Sequence, residues 1–141
     1  MTPEQIELAE RIERAIRADG RYPPEAYEFL HRGLDLAARL VHGDQPVEGK
    51  ARHVTGQQLS EALRVLAIES WGPLARDVFA RWNIHSTRDF GEMVYFMISQ
   101  QVMGRQDSDR IEDFDDVYPF ETAFADYEIR FGEEDHSERH T

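Results

Sequence analysis

The 141-residue sequence contains no cysteine, which excludes structural disulfides and thiolate metal sites. It has a single lysine, Lys50, among 16 basic residues. The arginines are dispersed, so this bias reads as codon composition rather than as a site. No apolar run approaches the ~20 residues of a membrane-spanning helix. The opening Met1-Thr2-Pro3-Glu4-Gln5 is acidic and lacks the apolar core of a signal peptide, so a soluble cytoplasmic location is the expectation. Positive charge is also scarce. The net charge is −12, and residues 104–141 hold 13 acids against four arginines, a net of −9. Residues 50–88 run the other way, with six bases against three acids, a net of +3. An acidic chain repels phosphate backbones at long range, which disfavours nucleic acid as a partner. The remaining composition, 40% apolar and 31% charged, suits a single globular domain with a proper core.

Helix boundaries are written in local chemistry. Thr2-Pro3-Glu4-Gln5 is a capping box with proline at the first helical position. Leu8, Ala9, Ile12, Ala15 and Ile16 follow at helical period, and Gly20 is the expected stop. Glu7/Arg11, Glu10/Arg14 and Glu13/Arg17 are oriented as favourable four-residue pairs on a solvated face. Tyr22-Pro23-Pro24 forces extended backbone, and a second helix is predicted from Pro24 to Val41, burying Ala26, Phe29, Leu30, Leu34, Ala37 and Val41. Residues 43–53 read as a polar loop, with one weakly supported strand over 51–54.

Residues 54 to 90 are punctuated like three further helices laid end to end. Thr55 and Gln58 form a capping box, with Val54 and Leu59 as a hydrophobic staple. Leu59, Leu63, Leu66 and Ile68 supply the apolar surface of that third helix. Gly72 offers a left-handed stop, and Pro73 opens a short helix with Leu74, Val78, Phe79 and Trp82. Ser86 and Asp89 cap the fifth helix, which is apolar on nearly every side over Met93–Ile98 and therefore central to a core or an interface. Asp107 to Asp116 reads as a solvated acidic linker. The aromatic residues after it, including Phe120, Phe124, Tyr127 and Phe131, predict a segment folded back on the helices, with a short helix after Pro119. The expected architecture is mainly α: one irregular or orthogonal bundle of about five helices over residues 1–131, with an acidic-aromatic segment packed on it and residues 132–141 as a disordered acidic tail.

Arg52-His53-Val54-Thr55-Gly56, Gly72-Pro73-Leu74-Ala75 with Val78, Phe79 and Trp82, and Asp89-Phe90-Gly91-Glu92 together resemble an uncharacterised family of small bacterial proteins that share a domain of unknown function. The resemblance runs from Tyr22 to Phe124 and includes Asp113-Phe114 and Val117-Tyr118. It implies a bacterial intracellular protein and carries over no activity, ligand or catalytic residue.

Motifs with chemical content are sparse. Glu28, His31 and Asp35 share one helix face, but a helical di-iron site needs a second Glu-x-x-His and further carboxylates; the other match, Glu133 to His136, falls in the tail. Asp107-Ser108-Asp109 begins like a calcium loop, yet Glu112 stands where glycine is required and Tyr118 where the last carboxylate belongs. Asp89-Phe90-Gly91 lacks every other kinase element, so Asp89 is assigned to capping and Gly91 to close helix packing. No phosphate loop is present, and Ser70 lacks nucleophile-elbow glycines. No metal, cofactor or catalytic set is therefore assigned.

The candidate binding residues lie beside the caps: Arg52, His53, His85 and Arg88. If the third and fifth helices start on one side of the bundle, these cations and two helix N-termini frame a small-anion or partner site. The basic middle and acidic C-terminal segment also suggest that one covers the other within the molecule. The leading functional expectation is a non-enzymatic interaction or regulatory protein that binds another protein or a second copy of itself. It uses the region around the fourth and fifth helices or the acidic segment. The alternatives are a helix-turn-helix nucleic-acid regulator, reading through Arg88, Glu92, Tyr95 and Ser99 of the fifth helix, and an anion sensor or small enzyme using the histidines.

Overall fold

The computed structural model describes residues 1–43, 53–104 and 109–124. It is mainly helical, with no strand among the described residues, and the order is α1 (Pro3–Asp19), α2 (Pro24–His42), α3 (Gly56–Trp71), α4 (Ala75–Arg81), α5 (Thr87–Ser99) and the single turn α6 (Phe120–Ala123). Two 3-10 turns interrupt the order, Gly72–Leu74 before α4 and Ile111–Phe114 before α6. None of the described helices is long and apolar enough to cross a membrane. The predicted strand over 51–54 falls partly outside the described residues, and His53 and Val54 are not in a strand. The domain end at 131 and the tail 132–141 lie outside them altogether.

The boundaries follow the capping chemistry. Thr2 and Gln5 exchange reciprocal hydrogen bonds at α1, as do Thr55 and Gln58 at α3. Gly20, with φ 80° and ψ −5°, ends α1 by donating its N–H to Ile16 O at 3.0 Å. Gly72 also has positive φ, at 57°, but its ψ of −134° lies outside the left-handed helical well. The chain consequently turns through Pro73 as a 3-10 turn before α4 begins.

The core is aromatic and centred on Phe79, which is fully buried. Phe29, Trp71, Trp82, Phe90, Phe120 and Phe124 all place rings within 6.2 Å of it, so α2, α3, α4, α5 and α6 meet there. The α2–α3 contact is intimate because Gly33 has no side chain: a Cβ there would overlap the side chain of Leu63.

Several residues depart from the sequence expectation. In α1 only Ile12 and Ile16 are buried, while Leu8 is 45% exposed. The first turns of this helix carry an apolar stripe beyond the body they would pack on. Val41 and Leu74, both predicted to face the core, are exposed; α2 outruns its neighbours at Val41, and Leu74 occupies the turn rather than α4. Of the predicted pairs on α1, Glu13–Arg17 forms at 2.8 Å, whereas Arg11 reaches Gln100 O at 3.4 Å. Sequence period does not report where a helix overhangs its support.

The largest correction concerns the acidic linker. Residues 109–124 are docked on the bundle: Phe114, Phe120 and Phe124 are buried, and Ile111–Phe114 forms a 3-10 turn against α5 and α3. The Phe114 ring lies over Gly91 and Gly56, where a Cβ would come within 2.8 Å and 3.0 Å of it respectively. Polar ties accompany the ring. Buried Thr87 donates its hydroxyl to Phe114 O at 2.6 Å and accepts from Val117 N at 3.1 Å. Tyr118 donates to Ser60 O at 2.6 Å, and buried Arg64 donates to Ala123 O at 3.1 Å while pairing with Glu61. The aromatic residues after the linker pack back as expected, with a short helix after Pro119; the correction is that residues 109–116 are docked as well, because two glycine faces accept Phe114.

Candidate functional site

The two helix N-termini expected to offer an anion site are already engaged by the chain itself. At α3, Thr55 Oγ1 accepts from Gln58 N at 3.0 Å and Gln58 Oε1 accepts from Thr55 N at 2.8 Å. At α5 the carboxylate of Asp89 takes the place an anion would fill, accepting from His85 N at 2.8 Å and Ser86 N at 3.2 Å. Charge at a helix start is favourable, and here a side chain supplies it.

Arg52 lies outside the described residues. His53 Nε2 is 3.1 Å from Asp109 Oδ1, and its carbonyl accepts a hydrogen bond from His42 Nε2 at 2.6 Å. His85 Nε2 is 3.2 Å from Asn83 Oδ1. Arg88 holds both carboxylate oxygens of Asp115, at 2.9 and 3.2 Å, and contacts Glu92 at 3.3 Å. These hydrogen bonds, Asp115 first and Glu92 second, raise the guanidinium pKa further above its ordinary value. Among the described residues no hydrogen bond or ion pair joins His53, His85 and Arg88 to one another; His53 and Arg88 are linked instead through carboxylates of one acidic segment. Of the basic middle, Arg88 is thus paired with the acidic C-terminal segment, whereas Arg76 and Arg81 are exposed.

A second network ties α5 to the α1–α2 corner. Tyr22, buried to 5% exposure, donates its hydroxyl to Asp89 Oδ1 at 2.5 Å. Arg21 pairs with Asp19 and Glu92, and Glu92 in turn pairs with Arg88. Burial, then the Asp89 bond, raise the Tyr22 hydroxyl well above its ordinary pKa, and burial pushes Tyr27 up to about 12. A raised tyrosine pKa means the fold favours the neutral phenol. The stability this contributes is complete below the unfolded value of 10.0 and is lost as pH rises toward the folded value. Urea midpoints are therefore expected to stay flat to about pH 9 and to fall above about pH 10. The single lysine of the sequence adds little competing titration there. A midpoint independent of pH between about 9 and 12 would contradict the burial of these phenols.

A concave feature of the surface lies beyond this corner. An open cleft of about 490 Å³ runs between the end of α1, the Arg21–Pro24 turn and the end of α4. Arg17, Arg21 and Arg81 line it together with Trp82, Pro23 and Pro24, and no lining residue is acidic. Trp82 is held rigidly by Phe29, Trp71 and Phe79, and Asn83 clamps the two sides by donating Nδ2–H to Arg21 O at 3.1 Å. Asn83 adopts φ 65°, a left-handed conformation that asparagine tolerates better than most residues. Sequence reasoning missed this cleft. Tyr22-Pro23-Pro24 shows only that the backbone is extended, and Arg81-Trp82 lies some sixty residues away in the chain.

Glu28, His31 and Asp35 are exposed on α2, and no group of three or more histidine and carboxylate side chains among the described residues is arranged to hold a metal ion. The chain matches no protein-family model, no curated protein and no solved structure.

Proposed function

We propose that this chain is an interaction or regulatory protein that binds another protein through the cleft between the α1–α2 corner and the end of α4. The observation that carries this reading is the cleft's composition: a fixed tryptophan wall, two prolines and three arginines, with no acid among the lining residues of a chain with net charge −12. Aromatic and arginine side chains are the residues enriched at the energetic centres of protein interfaces. A wall already locked by packing spares the partner the entropy of ordering it. The volume falls within the ~300–1,000 Å³ of pockets that receive small ligands or a few side chains. The polar positions of α5 favour the nucleic-acid alternative less, because Arg88 is occupied by Asp115 and Glu92. A bacterial intracellular setting belongs to the same proposal, supported by the resemblance of residues 22–124 described above.

A photo-cross-linking residue placed at Arg17, beside the cleft, is expected to trap a discrete protein in cells. The same residue at Glu7, exposed on α1 away from the cleft, is expected not to trap it. Equal adducts at both positions, or none at Arg17, would remove the assignment to this cleft.

A further inference from the structure

We infer that the cleft receives an extended, acidic peptide segment of the partner, an inference that rests on the protein-binding reading above. The argument begins with the donors that remain. A guanidinium has five N–H donors in a planar fork. Arg17 spends Nε and Nη2 on Glu13, and Arg21 spends Nε on Asp19 and Nη1 on Glu92, so among the described residues Arg17 Nη1 and Arg21 Nη2 have no protein acceptor. Arg81, exposed at the end of α4, has no ion pair or side-chain hydrogen bond among the described residues. The Arg21 guanidinium also lies over the Tyr22 and Phe96 rings, so the freer donors at the open cleft are those of Arg17 and Arg81, which come from two separate helices.

The pair already made by Arg17 is a weak competitor. Arg17 and Glu13 are 64% and 53% exposed, and ion pairs at such exposure contribute little. A ligand carboxylate can therefore recruit Arg17 with small loss. Arginine is also the side chain suited to bidentate recognition of carboxylate.

The shape selects a chain over a compact anion. The cleft is open, and its arginines stand on separate elements rather than converging on one point. Pro23 and Pro24 line the cleft together with Trp82, and Pro23 has φ −78° and ψ 162°. An open groove with an aromatic side chain in its lining is a recurrent setting for binding an extended peptide segment. A nucleic acid would also meet the arginines and the indole, but it must approach a molecule of net charge −12, a long-range cost that an isolated acidic segment carries in smaller measure.

Panning a random dodecamer peptide library on the full chain tests the inference. Peptides retained by the intact protein are expected to be enriched in Asp and Glu by about threefold or more over the library, and to be released by salt. The double variant Arg17→Glu/Arg81→Glu, whose sites are exposed and whose circular dichroism should be unchanged, is expected to bind the selected peptides at least about tenfold more weakly. Replacing the peptide acids by Gln and Asn should have the same effect. Peptides that depend on the two arginine sites but show no acidic enrichment would overturn the inference while leaving the protein-binding cleft standing. Absence of any peptide dependent on these sites would overturn both. Tighter binding of a single-stranded oligonucleotide than of the selected peptides, or a dimer in light scattering that the double variant dissolves, would assign the cleft to a different occupant and likewise overturn it.

Discussion

Phe79→Ala is expected to cost about 3–5 kcal/mol of stability, the range for deleting a buried phenylalanine ring from a core. Phe79 has no solvent exposure and touches six other aromatic rings, with Phe90 and Phe124 nearest at 5.5 Å. Those rings come from five helices, so no single neighbour can collapse into the vacated space, and the cavity term adds to the lost transfer energy. Against a typical domain stability of about 5–15 kcal/mol, a loss of that size leaves a marginal fold. The check is urea unfolding followed by the fluorescence of Trp71 and Trp82, both in contact with the deleted ring. The midpoint should fall with little change in slope. Phe79→Leu, which keeps most of the volume, should lose less than about half as much. A loss under about 1 kcal/mol for the alanine variant would mean that the helices do not converge on this residue.

Phe114→Ala is expected to cost about 3 kcal/mol, near the lower end for a buried ring because Phe114 sits at the edge of the core. Its distinguishing effect is local. The ring is the wedge that seats residues 109–124 on Gly56 and Gly91, and the hydrogen bonds of Thr87, Val117, Tyr118 and Arg64 depend on that seating. Hydrogen exchange of the Val117 amide should quicken more than that of amides in α2 or α3, since loss of the wedge opens the segment before the body. Gly91→Ala provides the complementary test. Alanine gains about 1 kcal/mol of helix propensity over glycine, whereas overpacking costs about 1–3 kcal/mol. The new methyl would lie within 3.0 Å of three Phe114 atoms, including its Cβ, which cannot swing aside as a ring tip can. The expected net is a loss. A Gly91→Ala variant more stable than the parent would show that the segment seats loosely.

Docking of this segment also frames what the sequence could reveal. Thr2/Gln5, Thr55/Gln58 and Ser86/Asp89 act over three residues of chain, so local chemistry wrote the starts of α1, α3 and α5 legibly. The helical period of α2 and the placement of Gly91 as a packing residue were readable for the same reason. The roles of His53 and Arg88 were not. Their partners Asp109 and Asp115 lie far along the chain, and nothing local distinguishes a cation awaiting a ligand from one already paired. Asp89 illustrates the limit: its capping bond is local, but its bond from Tyr22 spans 67 residues and is what anchors the α1–α2 corner to α5.

The sequence by itself determined that the chain is helical, where its principal helices start, and that an aromatic C-terminal segment would pack back on them. Those properties follow from caps, periodicity and aromatic density, which act between near neighbours or over a segment as a whole. Only the tertiary structure decided that Phe79 is the hub, that Phe114 needs two distant glycines to seat it, and that Arg17, Arg21, Arg81 and Trp82 edge one cleft. Each of those facts is a meeting of surfaces from separate elements, and the steric fit that selects such a meeting is a property of the packed helices rather than of any stretch of sequence.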